Sequence, residues 1–273
     1  MVDNSVLAGE ILRHGAYVCL RLSAAGDTRA VAAVAIPALA EKLGLENEFA
    51  SPAGPPAQSI AFLRRHGATP GVIVDDDVVH ADAVVHVAAP KAQPVDDFCR
   101  EAARLLGSLA RLRVLGGVVR PRTYTGAAMN NFAYAHQVVQ QPGRAMPNAF
   151  LIPMSKTAAW WAKDWMERHT YFLPRYDDDG RMQSEGHALA SAAGIACLLR
   201  RTYKSPAEPA PDGAYDFVTY FECADADLPT FHQVCASLRD VARNPEWKFV
   251  REGPTWHGHR VATWPDLFTA RGA

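Results

Sequence analysis

The sequence has no excess of basic residues and no long apolar run. Lys and Arg total 28 against 29 Asp and Glu, for a formal net charge of -1. A broad positive surface for nucleic acid is therefore not expected. No window approaches the roughly 18 consecutive apolar residues of a membrane-spanning helix, and the first residues do not show a basic region followed by an apolar core. These absences predict a cytoplasmic protein that acts on a small molecule, without nucleic acid or membrane partners.

Cysteine is scarce, and its spacing carries no metal signature. The five cysteines are scattered along the chain, and no two of them form a CxxC pair. Neither a disulfide framework nor a zinc ribbon is indicated. Buried, unreactive thiols are the expectation.

Two other short stretches are candidate metal ligands. His257 and His259 in the segment HGH would share one face of a strand. No third ligand of suitable spacing accompanies them, so the sequence does not favour a metal site there. The acidic run 177–179 lies in PRYDDDGRMQSEG, where we expect a solvated turn, with calcium binding as the alternative.

The first half of the chain predicts the element order βαββαβ. Apolar periodicity and turn residues indicate a strand at 15–23, a helix at 30–43, a strand pair at 71–75 (GVIVD) and 82–89, a helix at 95–112 and a strand at 114–124. The Pro- and Gly-rich stretch 51–59 is predicted to be a break between elements.

The second half repeats this order. Strands are predicted at 148–155, 200–203, 216–223 and 246–252, and helices around 157–169, 185–199 and 228–241. We therefore predict an α+β fold of two tandem ferredoxin-like domains, 1–128 and 129–273, with facing antiparallel sheets. The boundary is expected within 125–147.

A lysine and two adjacent tryptophans occupy one strand-to-helix stretch, IPMSKTAAWW at 152–161. Trp160 falls one helical turn after Lys156, the spacing that brings a cation beside an indole. Consecutive helical residues point about 100° apart, so Trp160 and Trp161 cannot fill one core position in the same way. Together they would form a broad apolar wall, which suits a flat, anionic, mostly apolar ligand.

These residues and others in the second half resemble the chlorite dismutase family, haem proteins built from two ferredoxin-like domains. The resemblance covers roughly residues 120–262. Its first motif is a proline, a methionine, one variable residue and a lysine, with tryptophans four and five places after the lysine. His187 and Arg200 match the family's thirteen-residue separation between axial histidine and distal arginine, and RRTYKS follows. The segments DFVTYFE and NPEWKF match later family segments, the second with Glu246. In this sequence the residues of the first motif, from the proline to the second tryptophan, are Pro153, Met154, Lys156, Trp160 and Trp161.

The resemblance implies a haem site. Haem b would be bound through His187 as iron ligand, with Glu246 hydrogen-bonded to that histidine. Lys156 would meet a haem propionate, and Trp160 and Trp161 would hold the macrocycle. The sequence contains no CxxCH motif, so covalent attachment of haem is not indicated.

The resemblance also implies a reaction, in which Arg200 is catalytic and holds a small anionic substrate. That substrate would be chlorite, converted to chloride and dioxygen. A homo-oligomer is expected, and the long N-terminal half favours the family's ring-forming members, hence a pentamer.

Several alternatives stay open from the sequence alone. Arg201 competes with Arg200, because neighbouring strand residues face opposite sides of a sheet. A loop-like insertion at 170–186 lengthens the segment before His187, and His169 is the next candidate ligand. Related haem activities are coproheme decarboxylation, peroxidase-like chemistry and haem transport or sensing. Decarboxylation is disfavoured because Ile152 stands where the family's decarboxylases have a reactive tyrosine.

Overall fold

Strands and helices alternate along the chain in an α+β arrangement. The computed structural model describes residues 14–23, 27–48, 56–67, 76–119 and 146–269. Its strands are β1 (His14–Leu22), β2 (Glu46–Asn47), β3 (Ser59–Arg65), β4 (Ala83–Ala89), β5 (Ala110–Val119), β6 (Asn148–Lys156), β7 (Arg175–Tyr176), β8 (Met182–Ser184), β9 (Leu199–Lys204), β10 (Phe217–Cys223), β11 (Val250–Glu252) and β12 (Trp256–Val261). The α-helices are α1 (Thr28–Ala32), α2 (Ile36–Lys42), α3 (Ala92–Leu106), α4 (Ala158–Trp161), α5 (Trp165–Thr170), α6 (Gly186–Ala190) and α7 (Leu228–Arg239). Among these described helices, none has both the length and the apolar character needed to span a bilayer.

Eight of the strands pair side by side into a closed ring. The order is β10, β9, β5, β1, β4, β3, β12 and β6, and β6 pairs again with β10. All of these pairings are antiparallel. Closure leaves each of the eight strands with two neighbours, so the ring itself has no unpaired edge.

Side chains of the ring strands alternate between an inner and an outer core. The inner core draws on all eight strands and includes Tyr17, Tyr203, Tyr220 and Trp256. Outside, α1 to α3 cover β1, β3 and β4 with an apolar layer that includes Val31, Ile36 and Phe98. On the other side of the ring, α7 packs Phe231 and Val234 against the outer residues of β6 and β10.

The α+β class with an extensive antiparallel sheet, expected from the sequence, is confirmed. The two predicted sheets are joined edge to edge, because β5 pairs with β9 and β3 pairs with β12. The division into domains 1–128 and 129–273 stays a prediction. Most of its expected boundary, 125–147, lies outside the described residues.

Local differences from the predicted elements have identifiable causes. The helix expected at 30–43 is split into α1 and α2, and Pro37 lies in the first turn of α2, where its missing N–H breaks no helical bond. Helix α3 ends at Gly107, which has a positive φ of 49°. The strand expected at 246–252 is a 3₁₀ helix, Pro245–Phe249, followed by the short β11.

Of the ring strands, β3 was not predicted, and β12 was considered only as a strand for the HGH segment and was left out of the predicted element order. β3 follows a Pro- and Gly-rich stretch that obscured it, and it takes the place beside β4 that the sequence assigned to GVIVD at 71–75. That segment lies outside the described residues, but both sides of β4 are occupied by β1 and β3. β12 reads WHGHRV, and its two histidines, glycine and arginine give it little apolar alternation.

Candidate functional site

A cleft opens on the outer face of the ring, between strands β6, β9 and β10 and helices α6 and α7. It contains about 710 Å³ of space between the protein atoms, a figure that includes the open solvent at its mouth. Its lining is mostly apolar, with a few charged and hydroxyl groups. The lining residues are Ile152, Met154, Lys156, His187, Arg200, Thr202, Phe217, Thr219, Phe221, Cys235, Leu238, Arg239, Glu246, Trp247, Val250 and Glu252.

Three of the predicted site residues form a buried row on one wall. The Nδ1 atom of His187 lies 2.7 Å from Oε2 of Glu246. The other carboxylate oxygen of Glu246, Oε1, accepts a hydrogen bond from Nζ of Lys156 at 2.5 Å. The side chains of Lys156 and Glu246 are 3% and 5% exposed, and that of His187 is 17% exposed. The histidine is therefore the member of the row that reaches furthest toward the cleft.

Gly186 determines how His187 enters the cleft. Its φ is +66°, and a Cβ at this position would meet the carbonyl oxygen of Leu173, so an L side chain there would be strained. The N–H groups of Glu185 and Gly186 both donate to the Arg243 carbonyl, at 2.9 and 3.0 Å. The Arg243 guanidinium donates to both carboxylate oxygens of Glu185 at 2.9 Å. These contacts hold the start of α6 against the segment that carries Glu246.

The charge on Glu246 decides which nitrogen of His187 carries the proton. Burial works to raise the pKa of this carboxyl, but the Lys156 ammonium and then the His187 imidazole beside it hold the pKa well below its usual range. An ionised carboxylate can only accept hydrogen bonds. His187 must therefore donate from Nδ1, which leaves the lone pair of a neutral ring on Nε2, the usual arrangement of a metal-binding histidine with a carboxylate partner.

Arg200 and Arg201 have opposite surroundings on β9. Arg200 lines the cleft together with Thr202, two residues along the same strand face. Arg201 points into the ring, where Nη1 lies 3.0 Å from His86 Nδ1 and 3.5 Å from Glu48 Oε1. Burial works to raise the pKa of Glu48, but the charge of Arg201 outweighs it and holds that pKa well below its usual range. Between the two, only Arg200 is placed to meet a ligand in the cleft.

The two tryptophans are not among the residues that line the cleft. Trp160 is fully buried one layer behind it, with the Lys156 ammonium 4.3 Å from its ring centroid. This contact was predicted from helical spacing, but Lys156 ends β6 and α4 begins only at Ala158. Trp161 stacks on Phe217, which does line the cleft, at a centroid distance of 6.2 Å. Both indoles thus support residues of the site from behind. The apolar surface that was expected from them is provided by Ile152, Met154, Phe217, Phe221, Leu238 and Val250.

Several contributors to the site were missed in the sequence. Buried Asp216 accepts hydrogen bonds from the Lys156 backbone N–H at 2.6 Å and from Trp161 Nε1 at 3.2 Å. Arg239 of α7 pairs with Glu252 of β11 at the cleft. The hydroxyls of Thr202 and Thr219 lie 3.3 Å apart across β9 and β10. No local motif marks these residues, because each acquires its role through pairing with a distant strand.

The alternative candidates lie elsewhere. His169 is on α5 and is not among the described residues that line the cleft. The insertion forms the hairpin β7–β8, and the acidic run is part of its turn. There Asp177 Oδ1 accepts from the backbone N–H groups of Asp179 and Arg181 at 3.0 and 2.8 Å. These hydrogen bonds stabilise the hairpin turn, which explains the acidic run.

Comparison with known proteins identifies the fold. No family model and no curated protein matches the chain. Among solved structures, chlorite dismutase from Candidatus Nitrospira defluvii in complex with imidazole matches with a TM-score of 0.66 and 21% identity, over 98% of both chains. A tryptophan-to-phenylalanine variant of that enzyme, in complex with cyanide, gives a TM-score of 0.66 and 20% identity over 98% of both chains. An arginine-to-lysine variant gives 0.64 and 20%, again over 98% of both chains.

The fold, and not only the second half, therefore corresponds to these structures. The resemblance that the sequence indicated over roughly 120–262 extends in three dimensions to nearly the whole chain. The chain has the chlorite dismutase fold.

Proposed function

We propose that the protein is a haem b-dependent oxidoreductase that converts chlorite to chloride and dioxygen. The observation that carries this proposal is the buried row of His187, Glu246 and Lys156 on the wall of a cleft that also contains Arg200. A histidine held in one tautomer suits an iron ligand, and a guanidinium suits an oxyanion. The likeness in fold to solved chlorite dismutases supports the same function.

The donor set of the cleft fits a haem. A single neutral imidazole is a common protein ligand of haem iron and leaves the opposite coordination position open. Glu246 accepts a hydrogen bond from the Nδ1–H group of His187. This bond increases the electron donation of the ring to a metal at Nε2. The surrounding apolar side chains suit a porphyrin face. When bound, the haem supplies a redox-active iron with one position for substrate.

Lys156 has a more specific role in this proposal than the sequence indicated. Pairing with a haem propionate stays a prediction, whereas its ammonium already contacts Glu246 in the structure. We propose that Lys156 stabilises the ionised form of Glu246. The carboxylate then continues to accept the proton of His187, and His187 keeps its lone pair for the iron.

Arg200 is the residue that we propose to hold the substrate. A guanidinium stays protonated at any physiological pH and presents donors that match an oxyanion. Because the neighbouring lining is largely apolar, its attraction for a small anion is screened less than in water. Arg200 would stabilise the negative charge that develops as an oxygen–chlorine bond breaks. The hydroxyls of Thr202 and Thr219 lie on the same face and can add hydrogen bonds.

The lining of the cleft argues against coproheme decarboxylation. Ile152, at the position of the family's reactive tyrosine, is buried and lines the cleft. No tyrosine is present among the described lining residues. An aliphatic side chain cannot form a phenoxyl radical, so this route has no oxidisable group at that position.

We also propose that the protein forms a homo-oligomer, with a pentamer favoured. Supporting this, a stretch from α5 through the β7–β8 hairpin exposes several large apolar side chains that a second copy could cover. These are Trp165, Met166, Leu173, Tyr176 and Met182. Light scattering on the haem-loaded protein tests the proposal, and a monomer at micromolar concentration would contradict it.

The proposed iron ligand is tested by haem binding. We expect the wild-type protein and His169→Ala to bind one haem per chain and to show the absorption spectrum of histidine-ligated haem. His187→Ala should lose that spectrum, because no other described lining residue is a histidine. If His187→Ala retained the spectrum and His169→Ala lost it, the ligand would be His169.

The proposed reaction is tested with an oxygen electrode. Haem-loaded protein should release dioxygen from chlorite, and Arg200→Ala should keep its haem but turn over about 10²–10³-fold more slowly, the usual cost of losing one charge-stabilising donor. Coproheme with peroxide serves as the control and should not yield haem b. Turnover of peroxide with an organic donor, without dioxygen release from chlorite, would replace this reaction by a peroxidase-like one. Transfer of haem to apomyoglobin without either turnover would indicate a carrier.

A further inference from the structure

Three histidines come together on the outer face of the ring, away from the residues that line the cleft. They are His66, directly after β3, and His257 and His259 on β12. The nitrogen atoms that could bind a metal all lie within 4.8 Å of one another. The third ligand that the sequence did not offer to the HGH pair is therefore provided by a residue 193 positions before His259.

Strand pairing explains why these side chains meet. β3 and β12 are antiparallel, with His259 opposite Arg64 and Gly258 opposite Arg65. The pairing continues one residue further, since the His66 N–H donates to the His257 carbonyl at 3.0 Å. Because side chains alternate across a strand, His257, His259 and His66 project from the same face. Their positions are thus fixed by the backbone ladder.

The three rings lie roughly face to face, at interplanar angles of 22° to 38°, with His66 near both of the others. His66 lies with its ring centroid 4.4 Å from that of His257 and 4.5 Å from that of His259, and the centroids of His257 and His259 are 5.8 Å apart. Nδ1 of His66 and Nε2 of His259 approach to 2.5 Å. A zinc ion holds each imidazole nitrogen at about 2.0–2.1 Å in a tetrahedral array. To bind such an ion, the side chains would have to rotate so that the close nitrogens of His66 and His259 separate and all three rings turn a nitrogen toward the metal.

Neighbouring residues orient one of the ligands in the manner of an outer coordination shell. Nε2 of His257 lies 3.4 Å from Oδ1 of buried Asn148, whose Nδ2 donates to Asp225 Oδ1 at 2.7 Å. Because an amide oxygen can only accept, His257 donates from Nε2 and presents its lone pair on Nδ1. Phe150 stacks on His257 at a centroid distance of 4.2 Å and restricts its rotation.

We propose that His66, His257 and His259 bind one divalent transition-metal ion, with zinc as the representative ion. Three imidazoles suit zinc, copper or nickel better than calcium or magnesium, which prefer oxygen ligands. His66 is exposed and the other two histidines are half-buried, so the ion is reachable from solvent and water completes its coordination. The metal would fasten β3, from the first half of the chain, to β12, from the second. This site is independent of the proposed haem.

Calorimetric titration of the full chain with Zn²⁺ tests the proposal. We expect one saturable site per chain in the wild-type protein. His66→Ala, His257→Ala and His259→Ala should each weaken zinc binding by at least the roughly 10–100-fold that loss of an outer-shell partner costs. His232→Ala is a matched control, because His232 is an exposed histidine on the neighbouring α7, 6.3 Å from the ring of Phe150, but outside the cluster.

Two further measurements keep the test decisive. Zn²⁺ should raise the melting temperature of the wild-type protein and of His232→Ala, and a chelator should reverse the shift; the three cluster variants should show no shift. His187→Ala should still bind Zn²⁺, which separates this site from the proposed iron ligand. The proposal is overturned if the wild-type protein shows no saturable zinc binding, if the cluster variants bind zinc as the wild type does, or if His232→Ala or His187→Ala abolishes binding.

Discussion

Glu246→Gln should destabilise the protein strongly, because it removes the counter-charge of a buried ammonium. The side chain of Lys156 is only 3% exposed, and Glu246 is its carboxylate partner. Removing one member of a buried ion pair typically costs about 3–5 kcal/mol. Trp160 lies 4.3 Å from the ammonium and continues to attract it, so we expect the lower end, about 3 kcal/mol. Domains are usually stable by roughly 5–15 kcal/mol, so this loss is a large fraction of the total.

A second substitution tests the reason for this loss. In Glu246→Gln combined with Lys156→Met, the orphaned charge is gone and an apolar side chain fills the space beside Trp160. Replacing both members of a buried pair by neutral groups is often neutral or favourable. We therefore expect the double variant to be more stable than Glu246→Gln alone, although it carries one more substitution. Simple additive damage to packing predicts the opposite order.

The contribution of Glu246 to the free energy of unfolding should also depend on pH, and it should fall as the pH falls. The pKa of Glu246 is lowered in the folded state, so its contribution is fully present above the pKa of an unfolded glutamate, about 4.3. It is lost as the pH falls below that value toward the folded pKa. The stability difference between the wild type and Glu246→Gln should therefore shrink as the pH falls below about 4.

Urea unfolding of the haem-free proteins measures these differences as free energies of unfolding. Glu252→Gln is the matched control, since this second carboxylate of the cleft pairs with Arg239, whose side chain is 43% exposed. Pairs exposed to this degree contribute about 0–1 kcal/mol. The reasoning is refuted if Glu246→Gln costs no more than Glu252→Gln, or if the double variant is less stable than Glu246→Gln.

Three further predictions concern the two arginines of β9, the glycine before His187 and a buried indole. Arg201→Met should lower the free energy of unfolding in urea by about 3–5 kcal/mol, because buried Glu48 loses its guanidinium partner. Arg200→Met should leave that free energy within about 1 kcal/mol of the wild type. Similar losses in both variants would contradict the different placements of the two arginines. Gly186→Ala should cost about 1–3 kcal/mol by strain at positive φ and contact with Leu173 and should weaken haem binding. Gly180→Ala, also at positive φ but in open space, should leave haem binding unchanged. If Gly186→Ala and Gly180→Ala weakened haem binding equally, displacement of His187 would be excluded as the cause. Trp160→Ala should lower the unfolding free energy by about 3–5 kcal/mol, as for other buried aromatics, and a loss below about 1 kcal/mol would show that the indole is not part of the core.

Much of the fold was predictable where a segment is apolar with a clear period. β1, β4, β6, β10 and α7 lie close to their predicted positions for this reason. β3 was missed because it follows a Pro- and Gly-rich stretch, and β12 was left out of the predicted order because WHGHRV has little apolar alternation. Closure of the ring depends on both strands, since they pair with each other. It could not be predicted without them.

For the candidate site, the resemblance indicated which residues to examine and the contact between Glu246 and His187, but not the partner of the Lys156 ammonium. His187, Arg200, Glu246 and Lys156 all line the cleft. Yet the partner of the Lys156 ammonium is Glu246, 90 residues away, and the third histidine of the outer cluster is 193 residues from His259. Such pairs are set by the register of antiparallel strands, which leaves no local signal in the sequence.

The neighbouring arginines of β9 show what strand alternation contributes to the site. A one-residue shift in the pairing of β9 would send Arg200 into the ring and Arg201 into the cleft. The inner core opposes that shift, because it would turn the buried side chains of Leu199 and Tyr203 out of the ring and separate the Tyr203 hydroxyl from His86 Nε2, which lies 2.9 Å away. An arginine would still face Glu48 after the shift, so the contacts of Leu199 and Tyr203, and not the interior ion cluster, select the register. They thereby help to position the guanidinium that we propose to hold chlorite.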